Sequence, residues 1–329
     1  MPTSVLICDD SALARKMLAR ALPDTWSINL SFASSGEEAL TLVKQGQIDL
    51  LLLDLNMPGL NGYQVLEQIQ NQDLPVLSIV ISGDVQPDAR TRAKQKGALD
   101  FIRKPIEAQQ LEQVLREFGL LQELQSTAQS PTQNIDAIQV NAEETLQEVF
   151  NIAMGQAGAS LSSLLKTFIE LPVPRVKQCL LSDLPNQLKT ESVKSLSAIT
   201  QGFSGYGISG EVILLLGDDS VPLLQKLNFV PSDSLDPSLD LVVDLAGILT
   251  GACLQGVSEQ LDAEFSCASP VLLGRHCSLQ HLLKSNQEQQ VLMVELDYRL
   301  LNGQVECDLI VLFTEESIPA LYKRLEYLQ

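Results

Sequence analysis

Residues 48–62 read IDLLLLDLNMPGLNG. Leu50–Leu53 are apolar at four consecutive positions, so this segment has no polar face to turn to water. A strand of that kind is covered on both sides, as in a parallel sheet flanked by helices. Working outward, SVLIC (4–8), INLSFA (28–33), VLSIVIS (76–82) and DFIRK (100–104) read as further strands. Between and after them, residues 12–21, 36–45, 61–70, 87–97 and 107–117 place Leu, Ala, Val and Ile at helical spacing. Alternation of five strands with five helices predicts an α/β domain with a five-stranded parallel sheet.

The chain has 329 residues, which suits two domains. The rhythm of the first stops near residue 120, giving a domain over 1–120. Residues 121–136 lose the pattern to Gln, Ser, Thr and Pro, and read as a linker. Residues 137–329 contain an internal repeat, over about 139–230 and 236–329. EETLQEVFNIAMGQAGASL (143–161) matches SLDLVVDLAGILTGACLQG (238–256) in shape. Pro174 lies 23 positions after Asn151, and Pro270 lies 23 after Gly247. YGISGEVILLLG (206–217) likewise meets NGQVECDLIVLF (302–313). Each half reads as a helix, then strands with a hairpin, then a helix, so the two predict a pseudo-symmetric α+β domain.

Composition excludes some classes. Lys and Arg number 22 against 41 Asp and Glu, a net charge of -19. Residues 1–120 hold 11 basic and 15 acidic side chains; the remainder hold 11 and 26. A polyanion would be repelled, so no nucleic acid or anionic membrane is expected as a partner. No uninterrupted run of about 18 apolar residues is present, and the N-terminus lacks a basic leader, so neither a transmembrane helix nor a secretory signal is expected. Cys8, Cys179, Cys253, Cys267, Cys277 and Cys307 form no C-x-x-C pair and sit beside apolar residues. They read as buried free thiols of a reducing, cytoplasmic protein. With His276 and His281 the sole histidines, a histidine metal site or triad lacks material.

Chemistry gathers at strand ends. Asp9 and Asp10 end the first strand, Asp54 the third, Ser82 the fourth, and Lys104, before Pro105, the fifth. The carboxyl ends of strands form the crevice of an open parallel sheet. Converging carboxylates there call for a hard cation, and Mg²⁺ takes such ligands. A hydroxyl and an ammonium beside them suit a phosphoryl group carried on a carboxylate.

With DDS at 9–11, LLLDLNMPGLNG around Asp54, Ser82-Gly83 and Lys104-Pro105, the first domain resembles the CheY-like receiver of two-component response regulators, a flavodoxin-like fold. The resemblance implies that Asp54 is the phosphoacceptor. It implies that Asp9, Asp10, Asp54 and the Asn56 carbonyl hold Mg²⁺. Ser82 and Lys104 would bind phosphoryl oxygens, and Phe101 would be the switch aromatic, without a phenol hydroxyl. A histidine kinase or phosphotransfer protein would be the phosphodonor.

In the second domain Glu144, Glu148 and Asn151 fall within about 60° of one another on one helix face. Alone, that stripe is an outward, solvated face. With Pro174 and the repeat it resembles the CheC/CheX/FliY phosphatases of phosphorylated CheY. The resemblance implies that Asn151 orients a water and that Glu148 pairs with a receiver lysine, with Glu144 as an accessory where the family has Asp or Ser. The second copy, Asp240, Asp244 and Gly247, lacks the amide and is expected to be degenerate and structural, Gly247 serving close helix packing. The whole then reads as a chemotaxis response regulator whose output domain hydrolyses the aspartyl phosphate of a CheY-like receiver under control of Asp54. A binding module that sequesters or dimerises receivers, and intramolecular dephosphorylation of Asp54, stand as alternatives. Self-association into a homodimer stays open.

Overall fold

The structure, a computed structural model, describes residues 2–23, 26–120, 140–188, 195–226, 236–283, 288–301 and 303–328. The expected linker at 121–136 lies outside them. The chain divides into two compact units, Met1–Glu148 and Val149–Gln329.

The first unit alternates β1 (Thr3–Cys8), α1 (Ala12–Ala21), β2 (Ile28–Ala33), α2 (Gly36–Lys44), β3 (Leu50–Leu53), α3 (Gly62–Asn71), β4 (Leu77–Ser82), α4 (Pro87–Gln95), β5 (Asp100–Arg103) and α5 (Ala108–Glu117). The strands form a parallel sheet in the order β2-β1-β3-β4-β5. Leu50–Leu53 sit at its centre between Val5–Cys8 and Leu77–Val80, fully buried as their run of leucines requires. Helix starts follow local chemistry. Ser11 and Ser35 cap α1 and α2, and Asn61 closes a capping box with Gln64 on α3.

The division between the units falls inside α6 (Ala142–Leu165). The second unit continues with β6 (Ile169–Glu170), β7 (Arg175–Leu180), α7 (Leu184–Gln187), β8 (Leu196–Gly205), β9 (Ile208–Gly217) and α8 (Val221–Gln225). The same succession recurs as α9 (Pro237–Leu261), β10 (Ser266–Cys267), β11 (Val271–Cys277), α10 (Leu279–Leu282), β12 (Gln290–Leu300), β13 (Val305–Thr314) and α11 (Ile318–Leu325). The internal repeat is thus real in the fold.

The halves share one eight-stranded sheet, ordered β10-β8-β9-β13-β12-β6. Its centre is the antiparallel β9–β13 pair, where Ile213 faces Ile310. Matching β9 to β13 from their first residues, Ile208 and Val305, shifts the sequence alignment of these strands by one residue and makes Ile213 and Ile310 equivalent, so the pseudo-two-fold axis passes between them. The outer strands are exchanged: β6 and β7 of the first half pair with β12, while β10 and β11 of the second pair with β8.

Packing joins the two halves. Phe150 of α6 meets Phe313 of β13 edge-on at 6.1 Å, and Phe313 meets Phe203 of β8 at 5.5 Å. One apolar cluster joins Leu184 of α7 and Leu279 of α10 to Ile213 and Ile310. Helix α9 packs against α6 at Gly256, where a Cβ would come within 2.7 Å of Ala153 Cα. A Cβ at Gly247 would meet nothing within 4 Å, so the close helix contact expected there belongs to Gly256 instead.

Two further expectations change. Among the described residues α9 is apolar enough by length and composition to cross a bilayer, with a mean hydropathy of 1.6 over 18 residues. Asp240 and Asp244 interrupt any continuous apolar run, which hid this from the sequence. Leu241, Leu245, Leu249 and Val257 are among the α9 residues buried in the core, which accounts for the composition. Cys267 is exposed and Cys277 half-buried, because β10 and β11 lie on the sheet's rim; the other four thiols are buried.

These contacts separate two glycines of one helix. Gly256→Ala is expected to cost roughly 1–3 kcal/mol through overpacking. Gly247→Ala is expected to gain about 0.5–1 kcal/mol from helix propensity. Urea unfolding of the two variants checks the opposite signs.

Candidate phosphoacceptor site and the α6 face

The sheet brings its strand ends level. Cys8 pairs with Leu53, so Asp9 and Asp54 follow side by side, and Asp54 N–H donates to the Cys8 carbonyl at 2.9 Å. Lys104 N–H donates to the Ser82 carbonyl at 2.9 Å, which ties the β5 end to β4. Carboxylate oxygens of Asp9, Asp10 and Asp54 come within 4.8 Å of one another. A Cβ at Gly62 would stand 2.2 Å from the Asp54 carbonyl oxygen, so the start of α3 passes the aspartate as closely as backbone allows.

Backbone N–H groups hold two of the acids. Asp9 Oδ1 accepts from Ser11 N–H at 2.9 Å, and Asp54 Oδ2 accepts from Asn56 N–H at 2.8 Å. Ser82 Oγ accepts from Asp84 N–H at 3.2 Å. Phe101 is buried on β5.

Lys104 Nζ lies 2.7 Å from Asp9 Oδ2, 3.3 Å from Asp54 Oδ1 and 3.0 Å from Glu148 Oε1. All four side chains are at most 6% exposed. Glu148 closes the first unit, and its carboxylate completes this ammonium's surroundings. The outward, solvated face expected for Glu148 is therefore corrected, since its charge is satisfied by Lys104. Asn151, one turn further along α6, is also buried, and its Oδ1 has no hydrogen-bond partner.

Glu144 acts locally. Glu144 N–H donates to Asn141 Oδ1 at 2.8 Å, and Asn141 N–H donates to Glu144 Oε2 at 3.3 Å. That is a capping box, which opens α6. Pro174 is buried ahead of β7. On α9, Asp240 and Asp244 are exposed and Gly247 is half-buried.

Burial sets the titration. It pushes the Asp9 and Asp54 carboxyls upward, opposed by the Lys104 charge. Asp10 is pushed up to about 7, by burial first and then by Asp54. Burial pulls Lys104 downward, but Asp54, Asp9 and Glu148 outweigh it and hold the ammonium well above its ordinary range. Crowded, partly neutralised carboxylate oxygens of this kind fit a hard divalent cation such as Mg²⁺.

Two groups at the site carry no signal in the sequence. Arg15 Nη1 donates to the carbonyls of Asp9 at 2.6 Å and Asp10 at 3.1 Å, bringing a cation to the acidic turn. Asp84 is buried, accepts from Gln86 N–H at 3.0 Å, and is pushed up to about 6, chiefly by burial. An arginine on a helix or an aspartate in a loop is too common to draw notice from sequence.

Four strand ends, those of β1, β3, β4 and β5, deliver carboxylates, a hydroxyl and an ammonium to one crevice and define a receiver domain. Residues 5–116 match the response regulator receiver domain family, and this part of the chain belongs to it. The chain is 31% identical over 148 residues to the transcriptional regulatory protein MalR of Bacillus subtilis, covering 44% of this chain and 63% of that protein. It is 36% identical over 115 residues to the positive alginate biosynthesis regulatory protein of Pseudomonas aeruginosa, covering 34% of this chain and 46% of that one. It thus spans less than two thirds of the length of these relatives. Among solved structures, Thermotoga maritima FliY is similar with a TM-score of 0.45 at 18% identity, over 57% of this chain and 97% of that one. The CheX–CheY–BeF3–Mg²⁺ complex of Borrelia burgdorferi is similar with a TM-score of 0.34 at 30% identity, over 36% of this chain and 90% of that one.

Asp84 gives a pH test. Its folded value lies above the ordinary 3.8, so between about pH 4 and 6 the folded chain binds more protons than the unfolded one. Its contribution to stability therefore falls as pH rises through that window. Asp84→Asn removes the penalty, and is expected to gain about 2 kcal/mol over wild type above pH 7 and nothing at pH 4. Urea midpoints at both pH values check it.

Proposed function

We propose that Asp54 accepts a phosphoryl group from a histidine kinase or phosphotransfer protein, and that α6 hydrolyses the aspartyl phosphate of a CheY-like receiver. The observation that carries the second half is the Lys104–Glu148 ion pair at 3.0 Å. In that pair a carboxylate of α6 meets the lysine of a phosphoacceptor crevice, the contact that docking on a separate receiver requires.

In the accepting step an Asp54 carboxylate oxygen attacks phosphorus, and the bond from phosphorus to the donor nitrogen breaks. Asp9, Asp10, Asp54 and the Asn56 carbonyl would hold Mg²⁺, which when bound supplies positive charge to the phosphoryl oxygens. Lys104 and Ser82 bind those oxygens from the chain itself. In the hydrolytic step a water oxygen attacks phosphorus, the bond to the aspartyl oxygen breaks, and the water proton leaves on inorganic phosphate. An aspartyl phosphate is already activated, so the step needs a water held in line. Asn151 suits that role, because its buried Oδ1 has no protein partner and can accept from the water, while Nδ2 can donate. Glu148 sets the helix on the receiver's lysine, and Glu144 contributes by opening α6.

The same ion pair favours a second reading, in which the phosphate removed is the chain's own at Asp54.

Loss of ³²P from a phosphorylated CheY-like receiver tests the proposal. Wild type is expected to shorten the phosphate lifetime and Asn151→Ala to lose at least about tenfold of that effect. Tight binding of the receiver with an unchanged lifetime would leave a sequestering module. Rates independent of chain concentration, abolished by Asp54→Ala, identify the intramolecular reaction. Separately, Mg²⁺ at about 100 times its Kd is expected to stabilise wild type by about 3 kcal/mol, and Asp9→Asn to lose most of this in thermal melts.

A further inference from the structure

The turn that carries Asp9 and Asp10 joins β1 to α1. Asp9 N–H donates to the Ala33 carbonyl at 3.2 Å, and Ser11 N–H donates to Asp9 Oδ1 at 2.9 Å. Ser11 then caps α1, and Arg15 N–H donates to the Ser11 carbonyl at 3.1 Å. Side chains of a helix lean toward its N-terminus. That direction returns the Arg15 guanidinium to the turn, where Nη1 donates to the carbonyls of Asp9 at 2.6 Å and Asp10 at 3.1 Å.

Two features separate this contact from an ordinary surface arginine. Arg15 is half-buried near the N-terminal end of α1, where the helix dipole disfavours a cation. Both of these bonds go to carbonyl oxygens, so the guanidinium holds backbone and leaves the carboxylates to the crevice. There the oxygens of Asp9, Asp10 and Asp54 lie within 4.8 Å of one another. Ser11 and Asn56 N–H groups already hold Asp9 and Asp54. For Asp10, the bond from Arg15 to its carbonyl fixes the residue from outside the turn, and a charged donor makes that bond a strong one.

We propose that Arg15 is a positioning residue for a divalent cation, fixing the backbone of Asp9 and Asp10 so that their carboxylates converge with Asp54 on one ion. This rests on the reading that Asp9, Asp10, Asp54 and the Asn56 carbonyl hold Mg²⁺. The guanidinium acts on the ion in two opposite ways, since its charge repels a cation while its bonds place the ligands. Placement prevails. Mg²⁺ demands near-ideal geometry, and groups that orient its ligands are worth about 10–100-fold in affinity.

The test is Mg²⁺ titration calorimetry on the full chain with no phosphodonor present. Arg15→Ala is expected to weaken Mg²⁺ binding at least about tenfold. A guanidinium felt through its charge alone would give tighter binding on removal, so the sign of the change decides. Arg15→Lys keeps the charge but replaces the planar fork with a point donor, and is expected to recover part of the lost affinity. Lys16→Ala removes the same charge one position further along α1, and is expected to stay within about twofold of wild type. Where Arg15→Ala fails to fold, Arg15→Gln takes its place, and its neutral amide is expected to lose affinity where a charge effect would gain it. Unchanged or tighter binding in these Arg15 variants, or an equal loss in Lys16→Ala, overturns the positioning role while the Mg²⁺ site stands. A wild type that binds no Mg²⁺ overturns both.

Discussion

One ammonium organises the chemistry of this chain. Lys104 Nζ stands between carboxylates that burial would otherwise drive to take up protons. Removing charge from water is costly, and a carboxylate cluster bears that cost several times over. The lysine keeps the acids usable as ligands and as a phosphoryl acceptor. Its position comes from backbone bonding between the ends of β4 and β5, so the parallel sheet is a precondition of the site.

The second unit solves a different problem. A two-fold repeat must bury two long helices whose inner faces are largely apolar. The solution is a shared sheet with Phe150, Phe203 and Phe313 stacked edge-on beneath α6. Symmetry ends where chemistry begins: Glu148 and Asn151 are buried, while Asp244 is exposed and Gly247 half-buried. Two equivalent helices thus stand in different surroundings on one scaffold.

The first unit was legible because its signals are local and ordered. Leu50–Leu53 can only be a strand covered twice, and each reactive residue falls at the end of such a strand. The repeat was legible from fixed spacing. What escaped was set by neighbours far away in sequence. A Glu at the third position of a helix gives the same letter whether it caps or catalyses, and Glu144 caps. Glycine reads alike where packing demands it, as at Gly256, and where it faces open space, as at Gly247. The amphipathic stripe of α6 predicted exposure, because a sequence cannot show the ammonium that Glu148 meets.

The exchange of β6 and β7 for β10 and β11 carries a consequence for how such a chain is assembled. Each half finishes the other's sheet, so the outer strands of the earlier half wait for the last hairpin to be made. Pairings that span more than a hundred residues are slow to close.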